Sequence, residues 1–221
     1  MRAEMLNGKP IPYDLPVEEL KKLISSPVMN DFSLACEALS YNNTPEAYKI
    51  MKSYINDKDK YRRLYILKTI FRHPESAELV GLLEDALASD DFLFVSNGLH
   101  VVADYGIKVS ESLLFSAVIR NLSNLYTEIR AINVLEVNED NYIKLIEIFK
   151  KAESCSQKEF ISDVFIEKYL PAKAKELFLL FGRDKFSKIR LCAVQIGKLY
   201  DFDIGQFLMD IDGHVRRAAE K

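Results

Sequence analysis

The sequence has no tryptophan, and it contains only three cysteines, three histidines and eight glycines. Cys36, Cys155 and Cys192 are scattered, and no pair has the two-residue spacing of a zinc knuckle or redox motif. This pattern excludes a disulfide framework and favours a reducing, cytoplasmic compartment. The glycines form no cluster that could cradle a phosphate, and the histidines form no cluster that could hold zinc. We therefore expect neither a metal nor a cofactor.

Motifs for catalysis and membrane insertion are missing as well. No Gly-x-Ser-x-Gly elbow occurs, and no cysteine lies near a histidine in the sequence. The longest purely apolar run, 177–181, is far shorter than the ~20 residues that cross a bilayer. The sequence predicts a soluble, cytoplasmic, non-catalytic protein without a membrane segment.

Apolar residues instead recur at intervals of three and four along nearly the whole chain, which predicts short amphipathic helices. We expect no β-strand. The predicted domains are an N-terminal arm, residues 1–15, which contains Asn7-Gly8, and a single helical-repeat domain, residues 16–221. Predicted helix starts are Thr44-Pro45, Ser110-Glu111, Asn138, a capping box over 156–159, and Asp212; predicted stops are Pro27, Pro74, Gly106, Pro171 and Gly182.

A short pattern of a branched apolar residue followed by arginine recurs along the chain. It occurs at Ile129-Arg130, Ile189-Arg190 and Val215-Arg216, and more loosely at Tyr61-Arg62. The intervals predict a period of 30 to 35 residues, which is typical of a two-helix repeat.

The stretch 212–219 resembles the second helix of a HEAT-type repeat, and 184–200 looks like the unit before it. The resemblance implies an all-α fold in which about six helical hairpins stack as an α-α superhelix. It also implies that the second helix of each hairpin lines a concave side. The resemblance specifies an architecture and no chemistry.

Charge is distributed unevenly along a chain whose net charge is −3. Residues 75–111 contain eight acidic side chains and one basic side chain, Lys108, whereas 168–198 contain eight basic and two acidic ones. These segments are either ordinary solvated faces or surfaces that steer a partner of opposite charge.

Helical spacing predicts which residues of the second helices face the partner. In 156–170 the predicted buried stripe includes Phe160 and Tyr169, and in 126–137 it includes Ile129 and Leu135. Asn133 is either a buried polar contact or a surface residue. The predicted acidic partner-binding surface consists of Asp91, Asn97, Asp104, Glu128, Glu136, Glu159, Asp163 and Glu167.

The basic segment supports an alternative, nucleic-acid binding. Helical-repeat DNA glycosylases resemble this chain in length and architecture, but the negative net charge and the missing tryptophan depart from their pattern. The residues predicted for this alternative are Lys173, Lys175, Arg183, Lys185 and Lys188.

The leading hypothesis from the sequence is a HEAT-like repeat protein that binds another protein. Small acidic proteins of degenerate repeats look like bacterial immunity proteins, including those that guard against contact-dependent inhibition toxins. The resemblance implies a basic nuclease toxin domain as the partner.

Overall fold

The structure is a computed structural model, which describes residues 3–120, 131–132 and 135–220. The chain divides into two compact units, Met1–Val134 and Leu135–Lys221, called here unit 1 and unit 2. The predicted helix at 126–137 lies mostly outside the described residues, as do Glu128 and Asn133. Of its predicted inward positions, Ile132 and Leu135 are buried.

The N-terminal arm forms a small β-hairpin, so the prediction that the chain has no strand is wrong there. Strand β1 (Met5–Leu6) pairs antiparallel with β2 (Lys9–Pro10). The connecting Asn7 and Gly8 both have positive φ, 51° and 76°, as the central residues of a type I′ turn require. The strands are too short to show an alternating pattern, so only the Asn-Gly pair signalled them.

Unit 1 continues as a series of helical hairpins. In each, a first helix packs on a second, and the second helices α2, α4 and α6 pack on one another in chain order. Their apolar faces form the core, in which Phe32, Leu67 and Leu99 are buried. The elements are α1 (Val17–Ile24), α2 (Met29–Ser40), α3 (Pro45–Lys52), α4 (Lys60–Ile70), a 3₁₀ helix (Pro74–Leu79), α5 (Val80–Ala88), α6 (Phe92–Tyr105) and α7 (Glu111–Arg120).

Unit 2 is also helical, and one of its helices is kinked. Helix α9 contains Pro171 and has a non-helical backbone at Lys173 (φ −119°, ψ 20°). The two halves of α9 therefore act as the second helix of one hairpin and the first helix of the next. The elements are α8 (Glu139–Lys151), α9 (Cys155–Gly182), α10 (Ser187–Leu199), a 3₁₀ helix (Gly205–Met209) and α11 (Gly213–Glu220).

Most predicted helix ends agree with the structure. Thr44 caps α3, Asn138 caps α8, and Gly106 ends α6 in the left-handed conformation. The predicted capping box over 156–159 is wrong. The helix begins at Cys155, because Ser154 and Gln157 form the box two residues earlier.

A recurring turn leads into three of the second helices. An aspartate side chain accepts a hydrogen bond from the backbone N–H two residues later, at 2.7 to 2.9 Å. The carbonyl oxygen of the same aspartate accepts one from an arginine side chain six residues later. The pairs are Asp57 with Arg63, Asp184 with Arg190, and Asp210 with Arg216.

This turn fixes the register of the repeat and corrects the sequence alignment. The arginine equivalent to Arg190 is Arg63, not Arg62, whose guanidinium instead lies over the ring of Phe32 and donates to the carbonyl oxygen of Ser26. Ser26 and Ser89 occupy the aspartate position before α2 and α6, and their hydroxyls accept the equivalent N–H. Ser26, Asp57 and Ser89 are 31 and 32 residues apart, within the predicted period.

Buried ion pairs connect successive turns in unit 2. Lys158 of α9 pairs with Asp184, and only 11% and 4% of these side chains are exposed. Arg190 of α10 forms a bidentate pair with Asp210, at 2.6 and 2.7 Å. These arginine and aspartate positions are therefore structural.

The predicted all-α class is confirmed, while the superhelical arrangement and the single domain stay predictions. In the part of the chain that the structure describes, no helix combines the length and apolarity needed to cross a membrane.

Candidate protein-binding surface

The recurring turn determines which positions of the second helices point away from the core. In α4, the side chains four, eight, eleven and fifteen residues after Asp57 follow one line along the helix. They are Tyr61, Tyr65, Lys68 and, just past the helix end, Arg72. Tyr61 is 63% exposed.

Arg72 is the centre of a polar network that joins α2, α4 and α6. Its guanidinium pairs with the carboxylate of Glu37 and donates to Ser40 Oγ at 3.2 Å and to Tyr105 Oη at 3.0 Å. It also lies 4.9 Å from the centre of the Tyr41 ring. One side chain thus orders two neighbouring aromatic rings.

The network also changes the titration of its members. Burial is the largest single effect and lowers the pKa of Arg72, but the charge of Glu37, its hydrogen bond and the two tyrosines together outweigh it, so the net shift of this pKa is upward. Burial, and then the charges of Glu37 and Cys36, raise the pKa of the Tyr65 hydroxyl. Arg72 is therefore charged and Tyr65 neutral at physiological pH. We call Tyr41, Tyr61, Tyr65, Arg72 and Tyr105 the tyrosine face.

The N-terminal arm packs beside this face. The ring of Tyr13 contacts that of Tyr41 edge-on, with 5.5 Å between centroids, and Asn7 Nδ2 donates to Asn30 Oδ1 at 3.1 Å. Ile11 of the arm is itself buried. The arm is thus part of the packed structure of unit 1.

Four residues of the predicted acidic surface fall in unit 1; Glu128 lies outside the described residues, and the other three have different roles. Asp91 caps α6 and pairs with Lys60; this hydrogen bond lowers the pKa of Asp91. Asn97 is half-buried and donates to the carbonyl of Leu93 at 2.7 Å, while Asp104 is exposed. Asn97 and Asp104 share the outer side of α6, whereas Asp91 stabilises its start.

In unit 2 two of the predicted residues of α9, Glu159 and Asp163, line a surface cleft of about 330 Å³. Glu159 is half-buried and bonds to Lys188 Nζ at 3.0 Å, while Asp163 and Glu167 are exposed. Burial, and then Glu159, raise the pKa of Asp163. Glu136 is exposed before α8. Apart from Glu136, which precedes the first helix α8, the described residues of the predicted acidic surface lie on a second helix or in the turn before it.

The predicted nucleic-acid residues are partly neutralised. Lys173 Nζ pairs with Glu139 at 2.9 Å and with Glu176 at 3.2 Å, and Lys188 pairs with Glu159. Lys175, Arg183 and Lys185 are exposed. A further basic group, Lys198, His214 and Arg217, lines a second cleft of about 370 Å³ between α10 and α11. Unit 2 thus has an acidic cleft at α9 and a basic cleft between α10 and α11.

The residues that could carry chemistry have structural partners. His73 is buried, stacks on Tyr48 with 5.0 Å between ring centroids, and bonds to the carbonyl of Thr44. Burial raises the pKa of all three cysteine thiols. Over the described ranges, histidine, cysteine and carboxylate side chains form no group of three that could hold a metal ion.

Sequence reasoning missed the tyrosine face. Glu37, Arg72 and Tyr105 are separated by 35 and 33 residues, close to one repeat period, and this spacing is the signal that could have grouped them.

No protein-family model matches this chain, and a search of curated proteins returns no similar sequence. The resemblance to HEAT-type repeats therefore depends on the residues themselves, and any function must be argued from the surface.

Proposed function

We propose that this chain is a non-catalytic, HEAT-like repeat protein that binds another protein through the tyrosine face of unit 1. The observation that carries the proposal is the Arg72 network, which orders Tyr41 and Tyr105 at the end of α4, while the exposed Tyr61 lies about three turns earlier on the same line of that helix.

Tyrosine and arginine are enriched at protein interfaces. Tyrosine offers a large contact area with few freely rotating bonds, and the planar guanidinium of arginine offers several donors in a fixed geometry. The bonds to Arg72 order the rings before a partner arrives, so binding loses less side-chain entropy. A purely structural cluster would be covered, whereas Tyr41 and Tyr61 are exposed.

Charge suggests the class of partner. Residues 75–111, which include α5 and α6, carry eight acidic side chains and one basic one, and Asp85, Asp90 and Asp104 among them are exposed. Such a surface attracts a basic protein and raises the association rate. The more specific proposal is a cytoplasmic immunity protein that covers and neutralises a basic nuclease toxin of the contact-dependent inhibition type.

Affinity capture from the native cell, with and without nuclease treatment, tests the general proposal. We expect a stoichiometric protein partner that survives nuclease treatment. Capture of nucleic acid alone, lost on treatment, would reject protein binding.

The immunity proposal has its own test. The purified chain is mixed with the product of any toxin gene encoded immediately upstream, and nuclease activity is measured. Stoichiometric inhibition supports the proposal; full nuclease activity in the presence of excess chain rejects it.

The exposed Lys175, Arg183 and Lys185 keep nucleic-acid binding as a second candidate. Phosphate contacts release counterions, so binding of this kind strengthens at low salt. A gel shift at low salt that disappears on triple substitution of these residues by glutamine would favour it. The absence of a gel shift at low salt would reject nucleic-acid binding.

A further inference from the structure

A second surface feature of unit 1 lies apart from the tyrosine face, on the edge where the turns before α4 and α6 meet. It is a pocket of about 250 Å³ between the second and third hairpins. It is bounded by the connection after α3, by α4 and α5, and by the start of α6. The volume is below the roughly 300 Å³ at which pockets for whole small ligands begin. It suits one long side chain.

The floor of the pocket is apolar. Ile55, Leu67, Leu82 and Phe94 contribute side chains from four different segments of the chain. Leu67 is buried, while the other three are half-buried and present apolar surface to the opening. Methylene carbons that cover this surface would remove it from water, which favours binding.

Two charged side chains flank the floor, and they differ in what they already contact. Arg63 Nη1 donates to the carbonyl oxygens of Asp57 at 2.6 Å and Lys58 at 3.4 Å, and its guanidinium lies 5.6 Å from the Phe94 ring centre. Its donors are thus directed into the turn. Asp85 is exposed on the opposite wall, on α5, and within the described part of unit 1 it takes part in no ion pair. Asp85 is therefore the charged group of the pocket that is available to a ligand.

The surroundings increase the negative potential at Asp85. Glu84 precedes it on α5, and Asp90 lies exposed in the turn after that helix. An apolar floor beside an unpaired carboxylate complements a side chain with a long hydrocarbon stem and a cationic end.

We propose that this pocket receives a lysine or arginine side chain of the basic partner, with its methylene groups on the apolar floor and its charged end paired with Asp85. The inference rests on the proposed function, since it assumes that the partner is a protein. It makes the pocket an anchor point separate from the tyrosine face.

Small mimics of the side chain test the pocket without the partner. N-butylguanidinium and n-butylammonium carry the stem and the cation, while 1-pentanol and pentanoate have a comparable stem without a positive charge. Titrations of the full chain are followed by amide chemical-shift changes. We expect shifts at Ile55, Leu82 and Asp85, and binding of the cations at least fivefold tighter than that of pentanol.

The substitution Asp85→Asn keeps the shape of the wall and removes the charge. It is expected to reduce the cation preference to less than twofold, whereas the control Asp90→Asn, an exposed acid outside the pocket lining, leaves most of that preference. Absence of shifts at the pocket, equal affinity for cation and pentanol, or an unchanged preference in Asp85→Asn would each overturn the inference.

The two proposals fail in different ways. If the mimics do not bind but a protein partner is still captured, only the pocket inference is rejected. If the mimics bind with the expected preference and no protein is captured, the proposed function is rejected while the pocket keeps its cation preference.

Discussion

Units 1 and 2 use the same turn position before their second helices but fill it with different chemistry. In unit 2 Asp184 and Asp210 form buried pairs with Lys158 and Arg190. In unit 1 the position is serine before α2 and α6 and aspartate before α4, where Asp57 lies 3.8 Å from Arg62. The Arg72 network of unit 1 also joins three helices, but it lies beside exposed tyrosines. Charge thus joins hairpins through buried pairs in unit 2, whereas in unit 1 it joins hairpins and orders surface rings.

The difference suggests how one repeat can serve two purposes. A buried ion pair contributes little net stability but makes the loss of either partner costly, because the other charge is then left unpaired away from water. A half-buried network such as that of Arg72 and Glu37, whose side chains are 23% and 12% exposed, tolerates change better, since water can reach a group that has lost its partner. The comparison therefore predicts sensitivity inside unit 2 and tolerance on the tyrosine face.

The largest expected effect is that of Asp184→Asn. The amide can still accept the N–H of Phe186, but Lys158 loses its counter-charge while buried beside Phe149. We expect a loss of about 3–5 kcal/mol in the free energy of unfolding, measured by urea denaturation.

Asp203→Asn is the matched control for this substitution, because Asp203 Oδ1 accepts the N–H of Gly205 in a similar but exposed turn. The control is expected to change stability by less than about 0.5 kcal/mol. Adding Lys158→Met to Asp184→Asn should recover most of the loss. Equal effects of the two asparagine substitutions would contradict the assigned role of the buried pair.

A smaller loss is expected from Arg72→Met in unit 1. The carboxylate of Glu37 loses its charged donor, but it is partly accessible to water, so the cost is about 1.5–3 kcal/mol. Lys68→Met, an exposed substitution on the same helix, provides the control and should be near neutral. If Arg72→Met lowered the free energy of unfolding more than Asp184→Asn, the prediction that the buried pairs of unit 2 are the more sensitive would be wrong.

The hydrogen bond from Arg190 lowers the pKa of Asp210. The stability of unit 2 should therefore depend on pH in the acid range. A carboxylate with a lowered folded-state pKa contributes stability that is complete above its unfolded pKa, about 3.9, and is lost as the pH falls towards the folded value. Arg190→Lys removes the bidentate geometry and should cost about 1 kcal/mol at pH 7.

Urea denaturation between pH 2 and pH 6 measures this effect. The difference in the free energy of unfolding between wild type and Arg190→Lys should become smaller as the pH falls below about 4. A difference that stays constant over this range would show that the carboxylate of Asp210 is not the group responsible.

The smallest effect should be that of Ser89→Ala, which removes the acceptor of the Asp91 N–H at the start of α6. The loss of one such neutral bond costs about 0.5–1 kcal/mol. The control is Ser116→Ala, because Ser116 is exposed inside α7. Comparing the thermal unfolding of the two variants distinguishes the loss of the turn hydrogen bond from the general effect of replacing serine by alanine. No difference between the two would mean that the turn hydroxyl is dispensable.

Local chemistry explains which elements the sequence predicted correctly. Thr44 and Asn138 cap helices through bonds to backbone N–H groups three residues later, so the signal and the structure involve the same few residues. The capping box was ambiguous, because 154–157 and 156–159 both fit its pattern. In the structure the box is formed by 154–157, and Lys158 of the same helix pairs with Asp184, which is 26 residues away in the sequence.

The tyrosine face lay beyond this reasoning because its members come from three helices. Arg72 follows an ordinary helix end, and nothing near it in the sequence predicts contact with Glu37 or Tyr105. The acidic residues were selected by helical spacing alone, which predicts exposure but not pairing. Asp91 and Glu159 are examples, because each has a lysine partner on another helix.

The central claim, that the tyrosine face binds a protein, is tested most directly by Tyr61→Ala in the capture experiment. Ile143→Ala is the control, because Ile143 is 51% exposed but belongs to α8, a first helix. We predict at least tenfold weaker capture of the partner by Tyr61→Ala, equivalent to about 1.4 kcal/mol of binding energy, and undiminished capture by Ile143→Ala. Undiminished capture by Tyr61→Ala and by a Tyr41→Ala, Tyr61→Ala double variant would contradict the claim.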